Sequence, residues 1–124
     1  MQIEQAAEIN KHLKRELSGD VYSDLFTRGR YATDASIYQI MPAGVVVPKS
    51  LEDIKLALQI AREFKVPVTP RGGGTSQCGQ TVNSGLILDN SCYFNQLIEL
   101  DVANRCCIVP VSYTHLTLPT IYSV

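Results

Sequence analysis

The feature that most constrains the fold is a strand–helix–strand pattern between residues 44 and 70. A short apolar run, GVVVP, precedes Ser50, a helix N-cap residue, and acidic side chains follow in the first helical turn. Apolar residues then recur with helical spacing over 51–65, and VPVTP at 66–70 reads as a second short strand. The pattern predicts a βαβ unit with parallel strands and a right-handed crossover.

Three consecutive glycines, Gly72 to Gly74, begin where the second predicted strand ends, within TPRGGGTSQCGQT. Ligands of open α/β sheets lie beyond the carboxyl ends of the strands. Main-chain N–H groups without neighbouring Cβ atoms can surround phosphate oxygens, and Arg71, Thr75 and Ser76 can add further donors. From the residues alone, an anion-binding loop is favoured over a glycine-rich connector.

Two familiar phosphate-binding motifs do not fit this loop. The dinucleotide fingerprint GxGxxG, started at Gly72, needs glycine where Gln77 stands, and no clear amphipathic helix follows. The NTPase motif GxxxxGK[ST] is closer in GTSQCGQT, but Gln80 replaces the lysine that contacts the terminal phosphates. The residues therefore argue against a Rossmann domain and against triphosphate hydrolysis.

Composition limits the remaining function classes. The 124 residues carry a net charge of -1, which offers no basic surface for nucleic acid, and no apolar run is long enough to span a bilayer. The amphipathic N-terminus lacks the apolar block of a signal peptide, so a cytoplasmic location is the default expectation. The cysteines form no C-x-x-C pair, which predicts buried, reduced thiols and no metal site. These cysteines are Cys78, Cys92, Cys106 and Cys107.

The rest of the chain predicts further elements around the βαβ unit. Residues 3–17 have the spacing of an amphipathic helix, whereas 21–43 have no clear period and predict an extended, partly buried segment. Asp89 and Asn95 are interpreted as turn formers. Polar groups of the 21–43 segment, explained equally well by surface pairing, are Arg28, Tyr31 and Asp34. Short strands are also predicted at 86–89, 97–101 and 105–110.

A family resemblance joins these features. VVVPKSLEDIKLALQIAREFKVPVTPRGGGTSQCGQ resembles the N-terminal FAD-binding domain of flavoproteins of the vanillyl-alcohol oxidase and p-cresol methylhydroxylase (PCMH) type. RYATDASIY at 30–38 resembles the entry segment of the D-2-hydroxyacid dehydrogenase branch, whose members act on D-lactate or D-2-hydroxyglutarate. The resemblance implies an α+β fold, with an N-terminal helix and a small FAD-binding PCMH-type subdomain. In that subdomain a parallel βαβ unit is followed by short strands, and the domain is incomplete.

The same resemblance implies that FAD is the cofactor and that the glycine-rich loop holds its diphosphate. The implied contacts, mostly through main-chain N–H groups, come from Arg71, Gly72, Gly73, Gly74, Thr75, Ser76, Gly79 and Gln80. In the complete enzyme a hydride would pass from the α-carbon of a small 2-hydroxyacid substrate to the flavin. The catalytic base is expected outside this chain, so no catalytic residue and no metal ligand is assigned.

The resemblance also sets the expected domain boundaries. An N-terminal helix and lead-in cover residues 1–29, the first part of the FAD-binding domain covers 30–110, and 111–124 form a tail outside the family pattern. The tail has no Asp, Glu, Lys or Arg and looks like translated foreign sequence. The expectation is an inactive fragment of a flavin-dependent dehydrogenase. The complete enzyme is expected in the cytoplasm, where peripheral contact with the inner membrane face is compatible with the sequence.

Two alternatives remain open from the residues. A phosphate- or nucleotide-binding module would use the same loop without flavin chemistry, and would prefer ATP with magnesium over FAD. A non-functional truncation product would expose strand edges and aggregate. Its mark would be the absence of a cooperative unfolding transition.

Overall fold

A four-stranded sheet with two helices packed on one of its faces forms the centre of the described part of the protein. The computed structural model describes residues 3–109. The helices of this part are α1 (Ile3–Glu16), α2 (Leu25–Arg30) and α3 (Leu51–Glu63). The strands of the main sheet are β1 (Asp20–Tyr22), β2 (Gly44–Val47), β3 (Val68–Arg71) and β4 (Leu86–Asp89), and a separate hairpin consists of β5 (Glu99–Asp101) and β6 (Cys106–Ile108).

The sheet has the strand order β1-β2-β4-β3. Strands β2 and β3 both pair in parallel with β4, and β1 is an antiparallel edge strand. The predicted parallel direction of the two strands in the βαβ unit is therefore confirmed, but β4 lies between them. Both β2 and β4 are buried along their whole length, which explains why their sequences, GVVV and LILD, are nearly continuous apolar runs.

The two faces of the sheet are covered differently. Helices α1 and α3 pack on one face, where Ile9, Leu13, Val46 and Leu86 belong to the larger apolar cluster. The opposite face carries a smaller cluster of Val45, Val47 and Ile87, against which the ring of Tyr31 packs. Because side chains alternate along a strand, the smaller cluster and Asp89 share this second face.

The start of α3 agrees with the sequence pattern. The Ser50 side chain accepts a hydrogen bond from the Asp53 main-chain N–H at 3.1 Å, and the Asp53 carboxylate accepts one from the Ser50 N–H at 3.2 Å. This reciprocal capping box satisfies N–H groups that the first helical turn leaves without partners. The predicted Ser50 cap is therefore confirmed, and the helix ends at Glu63, two residues earlier than predicted.

The prediction of an extended segment over residues 21–43 is wrong near its start. Helix α2 begins after Asp24, whose side chain accepts a hydrogen bond from the Thr27 N–H at 2.8 Å. None of its residues is buried. A helix without a buried face leaves no apolar period in the sequence, so its cap was the only local indication of it.

The prediction of buried thiols is also wrong, because all four cysteines are exposed. Cys106 and Cys107 lie on β6, in the hairpin that forms a sheet of its own. Leu100 and Ile108 of the same hairpin are 62% and 53% exposed. Burial of such apolar side chains needs a second layer, and the described residues place no such layer on the hairpin.

Two further expectations concern membrane-spanning segments and the C-terminal tail. None of the helices within residues 3–109 is long and apolar enough to cross a membrane. The predicted tail, residues 111–124, lies outside the described residues.

Candidate functional site

The candidate site lies at the carboxyl edge of the sheet, where β3 and β4 end side by side. Arg71, the last residue of β3, is the register partner of Asp89, the last residue of β4. The glycine loop, defined here as residues 72–80, leaves the sheet at this edge. This is the edge at which open α/β sheets bind their ligands.

Two glycines of the loop have a left-handed backbone. The φ angle is 66° at Gly74 and 78° at Gly79. A Cβ atom on Gly79 would lie 2.7 Å from Cδ2 of Tyr38, and a Cβ atom on Gly74 would clash with the guanidinium of Arg71. Glycine is therefore required at both positions by the conformation of the loop itself.

The main-chain N–H groups of Gly72, Gly73 and Gly74 are the candidate donors for a diphosphate. Within residues 3–109 none of the three donates to another protein group. Neighbouring strands therefore do not satisfy them, and Gly73 is exposed. Successive N–H groups with no Cβ atom beside them form a concave donor surface for anionic oxygens, so this part of the loop fits the diphosphate of FAD.

The second half of the loop closes on itself through Ser76. The Ser76 hydroxyl is in hydrogen-bond contact with the side-chain oxygen of Gln80, and accepts from the Gln80 main-chain N–H at 3.2 Å. The structure therefore brings these two predicted site residues together.

The Arg71 side chain turns toward main-chain oxygens. Its Nη2 donates to the Thr33 carbonyl at 2.9 Å, and its Nη1 lies 3.3 Å from the Tyr31 carbonyl and 3.4 Å from the Thr81 carbonyl. The guanidinium carbon lies 5.2 Å from the centroid of the Tyr31 ring, a cation–π contact. The positive charge predicted to face a phosphate is thus held between the chain segments on either side of the loop.

Tyr31 also contacts Asp89. The tyrosine hydroxyl donates to Asp89 Oδ2 at 2.5 Å, and the other carboxylate oxygen accepts from the Ser91 N–H at 2.8 Å. Asp89 is only 5% exposed. Burial of the ring, followed by the hydrogen bond to this carboxylate, raises the pKa of Tyr31 above its ordinary range. Asp89 therefore forms the predicted turn with Ser91 and also anchors Tyr31.

A second acidic side chain reaches the far end of the loop. Asp34 Oδ2 accepts from the Thr81 hydroxyl at 3.0 Å, and Oδ1 accepts from the Ser36 N–H at 2.9 Å. Hydrogen bonds from Ser36, with further ones from Thr81, lower the pKa of Asp34. Residues 31–34 therefore contact both ends of the glycine loop, a role that no local pattern of the sequence predicted.

The cysteines and histidines do not assemble into a metal centre within residues 3–109, where no group of three or more His, Cys, Asp or Glu side chains could hold an ion. Cys78 lies exposed on the glycine loop. His12 packs edge-on against Phe64, with 5.4 Å between the ring centroids. His115 lies outside the described residues.

Two cavities in the described part of the chain lie away from the glycine loop. The larger, of 590 Å³, is bordered by α1 and α2 and is lined by Lys11, Lys14 and Arg28 among others. The smaller, of 290 Å³, lies beside Tyr31 and Cys92.

Comparison with known proteins gives the family. The sequence profile of the family described as "FAD binding domain" matches residues 42–115, more than half of the chain. The chain is 40% identical over 87 residues to D-2-hydroxyglutarate dehydrogenase of Escherichia coli (strain K12), covering 68% of this chain and 8% of that protein. It is 38% identical over 104 residues to glycolate oxidase subunit GlcD of Bacillus subtilis (strain 168), covering 77% of this chain and 22% of that protein.

Solved structures show the same fold. An alkyldihydroxyacetonephosphate synthase superposes with a TM-score of 0.66 at 22% identity, covering 82% of this chain and 23% of that one. A p-cresol methylhydroxylase superposes with a TM-score of 0.62 at 16% identity, covering 82% of this chain and 21% of that one. The chain thus spans under a quarter of each of these structures, and under a tenth of the D-2-hydroxyglutarate dehydrogenase.

The expected family, fold class and cofactor are confirmed by these matches. The protein belongs to the FAD-binding domain family, in which FAD is the cofactor, and its residues form part of a PCMH-type flavoprotein fold.

Proposed function

We propose that this chain is the part of a flavin-dependent dehydrogenase that binds the diphosphate of FAD, and that the complete enzyme oxidises D-2-hydroxyacids. The observation that carries the proposal is that no acceptor within residues 3–109 binds the N–H groups of Gly72, Gly73 and Gly74, which lie at the carboxyl edge of the sheet in a family that binds FAD. FAD, when bound, supplies the acceptor for a hydride. The residues of this chain contribute binding and orientation, and we assign none of them a catalytic role.

The proposed contacts follow the loop in order. The first three glycines offer main-chain donors and the side chain of Thr75 adds a hydroxyl group, whereas the Ser76 hydroxyl, through its contact with Gln80, stabilises the second half of the loop. The glycine at 79 permits the second turn of the loop, because its φ angle is 78°. The proposed cofactor-binding set is Arg71, which holds the base of the loop, and Gly72, Gly73, Gly74, Thr75, Ser76, Gly79 and Gln80.

The names of the relatives support the substrate class. The relatives described above are a D-2-hydroxyglutarate dehydrogenase and a glycolate oxidase subunit, and D-2-hydroxyglutarate and glycolate are both 2-hydroxyacids. We extend the oxidation of 2-hydroxyacids to the complete protein, and we place that protein in the cytoplasm. The isolated chain is expected to bind FAD weakly and not to oxidise D-lactate or D-2-hydroxyglutarate. The proposed domain limits remain 1–29, 30–110 and 111–124.

The test is a titration followed by amide NMR spectra, which detect weak binding and locate it along the chain. The protein is titrated with FAD, with ADP and with ATP plus Mg²⁺. We expect FAD to shift the amide signals of residues 72–80 first. Larger shifts with ATP and Mg²⁺ would favour a nucleotide-binding module, and a spectrum without dispersion would favour a non-functional truncation product.

A matched pair of variants sharpens the test. Gly73 is exposed and does not have a positive φ, so we expect Gly73→Ala to preserve the fold while adding a Cβ atom beside the proposed donors. We expect it to weaken FAD binding about tenfold, the order expected for loss of a hydrogen bond to a charged group. Gly29→Ala is the control, because nothing lies within 4 Å of its added Cβ. Equal FAD affinity of the two variants would contradict the proposed binding of the diphosphate by the glycine loop.

A further inference from the structure

The two ends of the glycine loop are tied together by groups outside it. Arg71 precedes the loop and Thr81 follows it, and Nη1 of the first lies 3.4 Å from the carbonyl oxygen of the second. Thr81 is only 7% exposed. The loop is therefore closed at its base, and its first residue, Gly72, is buried beside that closure.

The segment at residues 31–34 forms the other half of this arrangement. The Tyr31 and Thr33 carbonyls accept from the Arg71 guanidinium, and the Asp34 carboxylate accepts from the Thr81 hydroxyl. We call the side chains of Tyr31, Asp34, Arg71 and Thr81 the loop clamp. Its hydrogen bond between Thr81 and Asp34 joins residues 47 positions apart in the sequence, so the clamp exists only in the folded chain.

The guanidinium makes two kinds of contact. Its nitrogens lie at three carbonyl oxygens, and its central carbon lies over the ring of Tyr31, whose hydroxyl donates to Asp89. An ammonium group is a compact charge that cannot direct nitrogens at several carbonyls while its centre lies over a ring. The arrangement therefore depends on the shape of Arg71 as much as on its charge.

We infer that the loop clamp positions the glycine loop, and that Arg71 acts on FAD binding through the main chain it holds and not by contact with phosphate. The inference rests on the proposed function for the identity of the ligand. A loop held in its binding conformation loses less conformational entropy when the ligand arrives, so the clamp increases affinity without touching the ligand. Tyr31, Arg71 and Thr81 are thus positioning residues.

The test compares Arg71→Lys with Arg71→Gln. The positioning role predicts that both variants weaken FAD binding by about tenfold. Neither side chain can contact the carbonyl oxygens and the Tyr31 ring at the same time. A direct phosphate contact predicts that lysine, which keeps the charge, retains most of the affinity. Retention of wild-type affinity by Arg71→Lys, with a loss only in Arg71→Gln, would overturn the inference.

A second readout needs no FAD. Amide order parameters from ¹⁵N relaxation should fall at residues 72–80 in both Arg71 variants, from values typical of rigid backbone, about 0.85, to below about 0.6. Amides of β2 and β4 should keep their values, which separates loop positioning from general loss of structure. Unchanged order parameters in the loop would overturn the inference even if affinity fell.

Two further variants keep the test decisive. Thr81→Val removes only the hydroxyl that donates a hydrogen bond to Asp34, and it should loosen the loop without unfolding the chain. If the Arg71 variants fail to fold, this variant tests whether the loop clamp orders the loop. Gln5→Ala is the control, because it removes a 2.9 Å hydrogen bond from a side chain to the Phe64 carbonyl, on the helical face of the sheet. It should change neither the order parameters of the loop nor FAD affinity.

Failure of the two proposals can be told apart. If FAD shifts no amide signal in the wild-type chain, the proposed function fails, while the order parameters still decide whether the clamp holds the loop. If FAD binds and Arg71→Lys behaves like the wild type, the proposed function stands and the inference fails.

Discussion

At the scale of single residues, the partners of a side chain decide its role. Arg71 follows a strand and precedes three glycines, a local context that predicts a phosphate contact. In the fold its guanidinium is held by carbonyls, one of which is 40 positions away in the sequence. Tyr31 likewise lies in a segment without periodicity, yet its hydroxyl meets a carboxylate 58 positions away.

The Tyr31–Asp89 pair predicts a dependence of stability on alkaline pH. The folded-state pKa of Tyr31 is raised, first by burial and then by the hydrogen bond to Asp89, whereas the unfolded value is about 10. Above pH 10 the unfolded chain releases the tyrosine proton and the folded chain retains it, so stability is lost as the pH rises. The loss should be smaller in Tyr31→Phe. Urea unfolding between pH 9 and about 11 measures the difference.

The control for this prediction is Tyr93→Phe. Tyr93 is 47% exposed and its hydroxyl makes a hydrogen bond of 3.4 Å with Asp20. Its replacement should leave the alkaline loss of stability as large as in the wild type. Parallel curves for the wild type and Tyr31→Phe would show that the buried hydroxyl carries no such linkage.

At the scale of secondary-structure elements, Asp53 joins three of them. Its carboxylate caps α3, accepts from the Lys49 N–H after β2 at 2.9 Å, and accepts from the Ser18 N–H after α1 at 2.8 Å. It is 2% exposed. A buried carboxylate with several N–H donors is stabilising because each donor is thereby satisfied, so the capping residue also fixes the junction between α1 and β1.

We predict that Asp53→Asn lowers the free energy of unfolding by about 2 kcal/mol at pH 7, the order expected for hydrogen bonds to a charged group. Glu52→Gln is the control, because its partner is the exposed Lys55, and such pairs contribute about 0–1 kcal/mol. Urea unfolding measures both variants. Equal midpoints for the two variants would contradict the role of Asp53 as a junction.

The same substitution has a predicted acid dependence. Burial by itself raises the pKa of Asp53, but hydrogen bonds from Lys49, Ser18 and Ser50 outweigh it, and the folded-state pKa is lowered. This stabilisation is present above the unfolded value, about 4, and is lost as the pH falls through the lowered pKa. The stability gap between the wild type and Asp53→Asn should therefore narrow below pH 4, and a constant gap would refute the assignment.

At the scale of the whole molecule, the protein has a well-buried sheet and an exposed hairpin. Strands β2 and β4 are fully buried, whereas every residue of β6 is exposed. Leu97, Ile98 and Val102, around β5, are 51% to 75% exposed. Exposed apolar side chains and few packed neighbours mark a region of low local stability, so the hairpin should open far more readily than the sheet.

This arrangement predicts that all four thiols react in the folded protein. Cys78, Cys92, Cys106 and Cys107 are exposed, and reaction of a thiol requires access for the reagent. Labelling with a maleimide, read by mass spectrometry of the native protein, should reach four adducts without denaturant. Fewer native than denatured adducts would show that part of the chain covers a thiol, and peptide mapping would identify which one.

Much of the local structure could be predicted from the sequence. Helical periodicity and the Ser50 cap placed α3, the apolar run at 86–89 placed β4, and the glycines that follow a predicted strand indicated an anion-binding loop. These features depend on neighbours within a few positions of one another, and short-range propensities record them directly. Helix α2 escaped prediction because its exposed residues leave no apolar period.

What the tertiary structure alone decided is which distant groups meet. Nothing local indicates that β4 enters between β2 and β3, or that residues 31–34 reach both ends of the glycine loop. The exposure of the thiols could not be predicted from the sequence either. Burial depends on whether another layer covers a strand, and the residues of the strand itself do not indicate whether such a layer exists. By itself, then, the sequence determined most of the elements, the position of the glycine loop and the family. The fold decided that Arg71 holds main chain, because only folding brings three carbonyls and an aromatic ring to one guanidinium.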